Sequence, residues 1–171
     1  MKHKLLLLYA WFVRTLMYFF PDIPFIMRIR GYLYNLGMPT PAKNLQVSAT
    51  AIIKNLENCF FNDDVYLAPF VVVNAIDKIT LEKQVMIGFS SVLVSGNHSA
   101  VNGSFRFGDS IKSPIVVGLG AWVGANCTLT AGSLLPTGSL LAANSVISKV
   151  QVREFAIYGG VPAKCIGSVK S

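Results

Sequence analysis

The 171-residue sequence predicts an all-β solenoid preceded by short helices. An aliphatic residue returns at every sixth position from Val117 to Ile147. A small residue fills the fifth position of the first five of those blocks. Apolar residues make up 53% of the chain and charged residues 13%, which points to heavy burial or association rather than disorder. The length suits one domain with a real core.

Residues 1–40 form an apolar, basic helical segment. "MKHKLLLLYAWFVRTLMYFF" starts basic and is uninterruptedly apolar from Leu5 to Val13, where Arg14 ends the run. That run is far short of the ~20 residues that span a bilayer, and no small-residue cleavage site marks a signal peptide. In "PDIPFIMRIRGYLYNLG", Pro24 suits a first helical turn and Gly37 a helix end. Phe25, Ile26, Ile29, Tyr32, Leu33 and Leu36 recur at helical spacing. Two short helices with large apolar faces are expected. Those faces pack on the rest of the chain, on another subunit, or on a membrane surface with the arginines near head groups.

Residues 41–152 carry the repeat, read as "VGLGAW VGANCT LTAGSL LPTGSL LAANSV ISKVQV" from Val117. The first positions are Val117, Val123, Leu129, Leu135, Leu141 and Ile147; the small positions are Ala121, Cys127, Ser133, Ser139 and Ser145. Asn and Gly crowd the places where corners need positive φ. Upstream, Leu67, Val73, Leu81, Ile87 and Leu93 keep the register, with two extra residues before Leu81. "FNDDVY" fits as one further block, and residues 47–60 read as an irregular first coil. Three short strands of this kind make a triangular coil, with the aliphatic residue inward and the small one in the tight space beside it. Cys127 is therefore assigned to packing. The repeat fails from Ser99 to about Pro114, so residues 99–114 loop out of the solenoid. Residues 153–171 leave the repeat in the turn-rich "GGVPAK" and read as a cap over an otherwise open strand edge.

The net charge of +7 is uneven. Residues 1–30 contribute +4 and residues 149–171 contribute +3, while residues 31–148 balance six basic against six acidic groups. This distribution, with no recognisable motif, speaks against a nucleic-acid partner. It fits a membrane surface at one end and a phosphorylated ligand at the other. Cys59, Cys127 and Cys165 are odd in number and form no CxxC pair. Reduced thiols in a cytoplasmic protein, peripheral contact with the inner membrane face through residues 1–36, and no structural zinc are the expectations.

The repeat resembles that of the left-handed parallel β-helix acyltransferases, the hexapeptide-repeat family. "DKITLEKQVMIGFSSVLVSGNHS", "GAWVGANCTL" and "YGGVPAKCIG" resemble its polysaccharide O-acetyltransferase branch, typified by colanic acid and maltose acetyltransferases. The likeness runs over about residues 25–170. It implies a left-handed parallel β-helix, acetyl-CoA as co-substrate, a homotrimer with the cofactor site between neighbouring prisms, and a sugar hydroxyl as acceptor, as in surface-polysaccharide synthesis. Other acceptors on the same fold are a nucleotide-sugar amine, serine or an antibiotic. A non-catalytic β-helix scaffold is the alternative from another class.

His98 is the sole histidine beyond the first few residues, and the register puts it at a corner beside the excursion. A neutral imidazole suits removal of a hydroxyl proton near neutral pH. The resemblance makes His98 the catalytic general base. A metal role fails, because the carbonic anhydrases of this fold use three histidines per site and one plausible ligand exists here. Asn74, Asp77 and Asn97 are candidates for acceptor binding or orientation, and equally for corner structure. The polar acceptor-binding positions of the galactoside and maltose branch fall on Ala68 and Ile76, which speaks against those acceptors. By resemblance, Trp122 lines the acetyl-CoA site and Ala125, Ala143 and Ser148 follow the pantetheine arm. Lys149, Arg153 and Lys164 would then meet the CoA phosphates.

Overall fold

The computed structural model describes residues 2–169; Met1 of the expected helical segment and Lys170 and Ser171 of the expected cap lie outside the described residues. Helix α1 (Lys2–Met17) runs until the chain meets Pro21, and α2 (Pro24–Asn35) opens on Pro24, whose missing N–H is no loss in a first turn. Arg30 of α2 is 1% exposed. Its guanidinium donates to Asp22 and to the carbonyls of Met17, Phe20 and Val47, tying both helices to the first strand. That network fixes the roll of α2. Met27, Arg30, Gly31 and Tyr34 therefore face inward. The expected α2 face is split: Leu33 packs against the core, whereas Phe25, Ile29, Tyr32 and Leu36 are exposed.

Three parallel sheets follow, one per side of the solenoid. The first coil holds β1 (Gln46–Val47), β2 (Ile52–Lys54) and β3 (Cys59–Phe61); the second holds β4 (Tyr66–Leu67), β5 (Val72–Asn74) and β6 (Ile79–Leu81). The third holds β7 (Met86–Ile87) and β8 (Val92–Val94), leaves the solenoid as β9 (Gly96–His98) and β10 (Ser110–Lys112), and returns as β11 (Ile115–Val117). The fourth holds β12 (Trp122–Val123), β13 (Thr128–Thr130) and β14 (Leu134–Leu135), and the fifth β15 (Leu140–Leu141) and β16 (Val146–Ile147). Strand β17 (Ala156–Gly159) adds one more parallel rung beside β15, and β18 (Lys164–Ser168) pairs antiparallel with it. The expected cap thus begins with a solenoid strand and ends with one that covers its edge.

Every aliphatic first position named from the sequence, from Leu67 to Ile147, has no exposed surface. Equivalent residues stack: Val123 lies between Ile87 and Leu141, and Leu129 between Leu93 and Ile147. The small positions are buried too, and each polar one turns its side chain to a carbonyl. Ser133 donates to Thr130 at 2.7 Å, and the Cys127 thiol reaches the carbonyl of Ala142 at 3.1 Å. Burial pushes the Cys127 thiol pKa up, which fits the packing role assigned to it. Asn126 and Asn144 take positive φ at corners, at 55° and 60°.

The first coil corrects the expectation of irregularity. Val47, Ile53 and Phe61 pair in register with Leu67, Val73 and Leu81. A short 3-10 turn at Leu56–Asn58 hides the repeat in the sequence. On the third side two residues point inward from each of β3, β6 and β11, Cys59 with Phe61, Ile79 with Leu81 and Ile115 with Val117, whereas β14 buries Leu135 alone. The two extra residues before Leu81 belong to that wider side.

Candidate active site

The excursion is a β-hairpin. Asn102 and Gly103 take φ of 50° and 78°, and Val101 and Ser104 exchange two backbone hydrogen bonds of 3.0 Å across them. Two successive positive φ values at Asn-Gly are the signature of a type I′ hairpin turn. The departure comes three residues earlier than expected. Residue 96 passes so close to Ile76 that a Cβ there would lie 2.9 Å from the Ile76 Cβ; glycine permits the passage. His98 is consequently not at a coil corner. It stands exposed on the hairpin stem, opposite Ser110.

A cavity of about 800 Å³ opens where the stem meets the first coils. His98, Asn97 and Lys112 reach it from the hairpin, and Asn74 from β5. The far wall comes from Asn55, Glu57 and Asn58 of the first coil and His3 of α1. Asn55 donates to Asn74 Oδ1 at 3.1 Å, and Asn58 donates to the carbonyls of Ala75 and Ile76. His3 Nδ1 pairs with Glu57 Oε1 at 2.5 Å, while the buried Glu57 Oε2 has no partner within the described chain. The structure thus brings three of the four predicted catalytic and acceptor residues, His98, Asn74 and Asn97, to one cavity. Asp77 lies outside its lining. Its carboxylate accepts the Lys78 backbone N–H at 2.7 Å, and its own backbone N–H and carbonyl hold Ser95 Oγ. Of the two positions that resemblance singles out for galactoside or maltose acceptors, Ile76 lines the cavity and Ala68 is buried.

Asn55, Glu57, Asn58, Lys112 and His3 were not indicated by the sequence. The polar "NLEN" at residues 55–58, just after the apolar residues 51–53, was the available signal. His3 gave none, since α1 must fold back over a segment 54 residues away to place it.

The positions assigned to acetyl-CoA lie on later coils, and none of them lines the His98 cavity. Trp122 is 48% exposed on β12, flanked in register by Met86 and Leu140. Ala125 and Ala143 are neighbours on one stacked corner, where the Asn144 N–H donates to the Ala125 carbonyl at 2.9 Å. Their methyl groups leave the backbone open to close approach. Ser148 and Lys149 are exposed just after β16. The Tyr158 hydroxyl holds the backbone of Arg153 by two hydrogen bonds, and the Arg153 guanidinium reaches Cys165, next to Lys164. Lys149, Arg153 and Lys164 carry no carboxylate partner among the described residues. An anionic, extended ligand fits this set of small corners ending in free cations. Among the described residues no cluster of three His, Cys, Asp or Glu side chains is placed to hold a metal ion.

No family model matches the chain. Over 120 residues it is 29% identical to WbbJ of Escherichia coli (strain K12), a protein named for lipopolysaccharide biosynthesis O-acetyl transfer; the match covers 63% of this chain and 59% of that relative's length. The fold matches a hexapeptide-repeat-containing acetyltransferase from Vibrio cholerae O1 biovar eltor, solved with acetyl coenzyme A, with a TM-score of 0.79 at 21% identity over 98% of this chain and 89% of that one. It also matches a maltose O-acetyltransferase from Clostridium difficile 630 with a TM-score of 0.79 at 17% identity, covering 98% of this chain and 90% of the other. These likenesses show that the chain has the fold of the hexapeptide-repeat acetyltransferases, a parallel β-solenoid behind two N-terminal helices.

Proposed function

We propose that this protein is an acetyl-CoA-dependent O-acetyltransferase acting on a sugar hydroxyl of a surface-polysaccharide precursor. The observation that carries the reading is His98 on the rim of a cavity with Asn55, Asn58, Asn74 and Asn97 in its lining. Amides offer donors and acceptors without charge, which suits a ring of hydroxyls. Likeness to WbbJ supports a glycan acceptor.

His98 takes the proton of the acceptor hydroxyl as its oxygen attacks the thioester carbonyl carbon. The tetrahedral intermediate collapses, the C–S bond breaks, and the CoA thiolate receives the proton back from the imidazolium. A positioned base of this kind contributes about 10²- to 10⁴-fold. Ala125, Ala143 and Ser148 guide the pantetheine arm, Trp122 packs on it, and Lys149, Arg153 and Lys164 pair with the phosphates. Because these lie on later coils than His98, a homotrimer completes the site by setting the later coils of one prism beside the hairpin of the next. A trimer would also cover Trp122 and Met86, which are exposed in the single chain.

The test is calorimetry with acetyl-CoA on the wild-type chain and His98→Ala, followed by thiol release with neutral sugar acceptors. Both proteins are expected to bind acetyl-CoA, and only the wild type to turn over. Light scattering should give three times the 18.6 kDa of one chain. Normal turnover by a folded His98→Ala protein would sink the mechanism; absence of acetyl-CoA binding by an intact trimer would leave the scaffold reading.

A further inference from the structure

Residues 2–36 present many of their apolar side chains to solvent. On α1, Leu5, Leu8, Trp11, Phe12 and Leu16 are each more than half exposed, while Ala10, Val13 and Met17 face the solenoid. The connection adds Phe19, 87% exposed, and α2 adds Phe25, Ile29 and Tyr32. A helix on a water-facing surface normally turns its polar stripe outward; here the outer stripe is the apolar one. Contiguous exposed apolar surface of this kind marks a contact site.

Charge identifies what covers it. Lys2, Lys4, Arg14 and Arg28 flank these side chains, and none has a carboxylate partner among the described residues. Asp22, the one acid of this segment, is already held by Arg30, Ser48 and the Ala49 backbone. A second copy docked across a two-fold axis would set these cations against one another. The charge-balanced coils of residues 31–148 offer no acidic surplus to receive them. No described helix is long and apolar enough to cross a membrane. Aromatic and aliphatic residues on one face, cations beside them and no free acid match a helix lying in the head-group region of a bilayer.

We infer that residues 2–36 dock on an anionic lipid surface. The docking does not depend on acetyl transfer. His3 sits between Lys2 and Lys4 in the first turn of α1 and lines the His98 cavity, so the docked chain carries that cavity beside the bilayer.

Flotation of the full chain with vesicles tests this, using phosphatidylcholine alone and phosphatidylcholine with one-third phosphatidylglycerol. The wild type should float with the anionic vesicles and bind about tenfold or more weakly to neutral ones, or in high salt. Leu8→Asp/Phe12→Asp should lose flotation while keeping the wild-type melting temperature, since both positions are exposed. Brominated lipid should quench tryptophan fluorescence in the wild type, and Trp11→Phe should abolish the quenching. The inference is overturned if the wild type stays free of anionic vesicles at low salt, or if the double variant floats unchanged. A wild type that ignores vesicles, with a double variant of smaller assembly mass, would make the face an interface between copies. Acetyl-CoA calorimetry on the same samples reports separately on the proposed enzyme.

Discussion

Leu93 has no exposed surface and is clamped between Val73 and Leu129 of the adjoining coils, whereas His98, a few residues on, stands exposed on a two-stranded arm. One belongs to a ladder repeated along the molecule. The other belongs to an excursion whose strands pair only with each other. On the proposed function, the contrast teaches that stability and chemistry are housed separately, and the two should be separable by substitution.

The widest separation is expected at His98. His98→Ala should lower turnover about 10²- to 10⁴-fold and leave unfolding within about 0.5 kcal/mol of the wild type, as kinetics and urea melts will show. A large stability loss would place His98 in the structural class. Leu93→Ala is the mirror image. It should cost about 2–5 kcal/mol while activity per folded molecule is retained; inactivity in a folded Leu93→Ala protein would mean that coil and arm are coupled. Gly103→Ala probes the arm alone. A side chain at φ 78° meets nothing within 4 Å, so only backbone strain of about 1–2 kcal/mol is added. The global melt should hold, and protease sensitivity at residues 99–109 should rise.

The mildest effect is a pH dependence that belongs to the interior. Burial, and then the charge of Glu57, raise the Cys59 thiol pKa above its ordinary 9.0, and burial pushes the Tyr34 hydroxyl up to about 12 against the opposing charges of Arg14 and Arg30. Above pH 9 the unfolded chain releases these protons first, so it binds fewer than the folded chain and stability falls as pH rises. Stability should be insensitive to both groups below pH 9, and Cys59→Ala should flatten the alkaline slope in melts between pH 8 and 11.

The same contrast explains what was legible in the sequence. A buried ladder imposes one chemistry on every rung, so Val123, Leu129 and Leu141 reveal themselves by recurrence. The small positions at Cys127, Ser133 and Ser139 do so for the same steric reason. The arm was visible as a failure of the repeat, and Asn102-Gly103 was its unread turn signal. The far wall of the cavity was hidden, because His3 and Glu57 meet only after α1 folds over the first coil. The roll of α2 was hidden as well: spacing shows which residues share a face, while the direction of that face is set by the hydrogen bonds of Arg30.

Stacked parallel strands also make the solenoid a ruler. Neighbouring rungs lie about 4.8 Å apart, and each whole coil adds one division. The fourth coil, from Val123 to the residue before Leu141, can be copied or deleted as a unit with the corners on either side still matched. Such a change moves Arg153 and Lys164 one division along the axis while the hairpin keeps its address on the third coil. On the proposed function, reach between the base and the phosphate-pairing cations is therefore adjustable in whole steps, and recopying a single coil refits the chain to a longer or shorter donor.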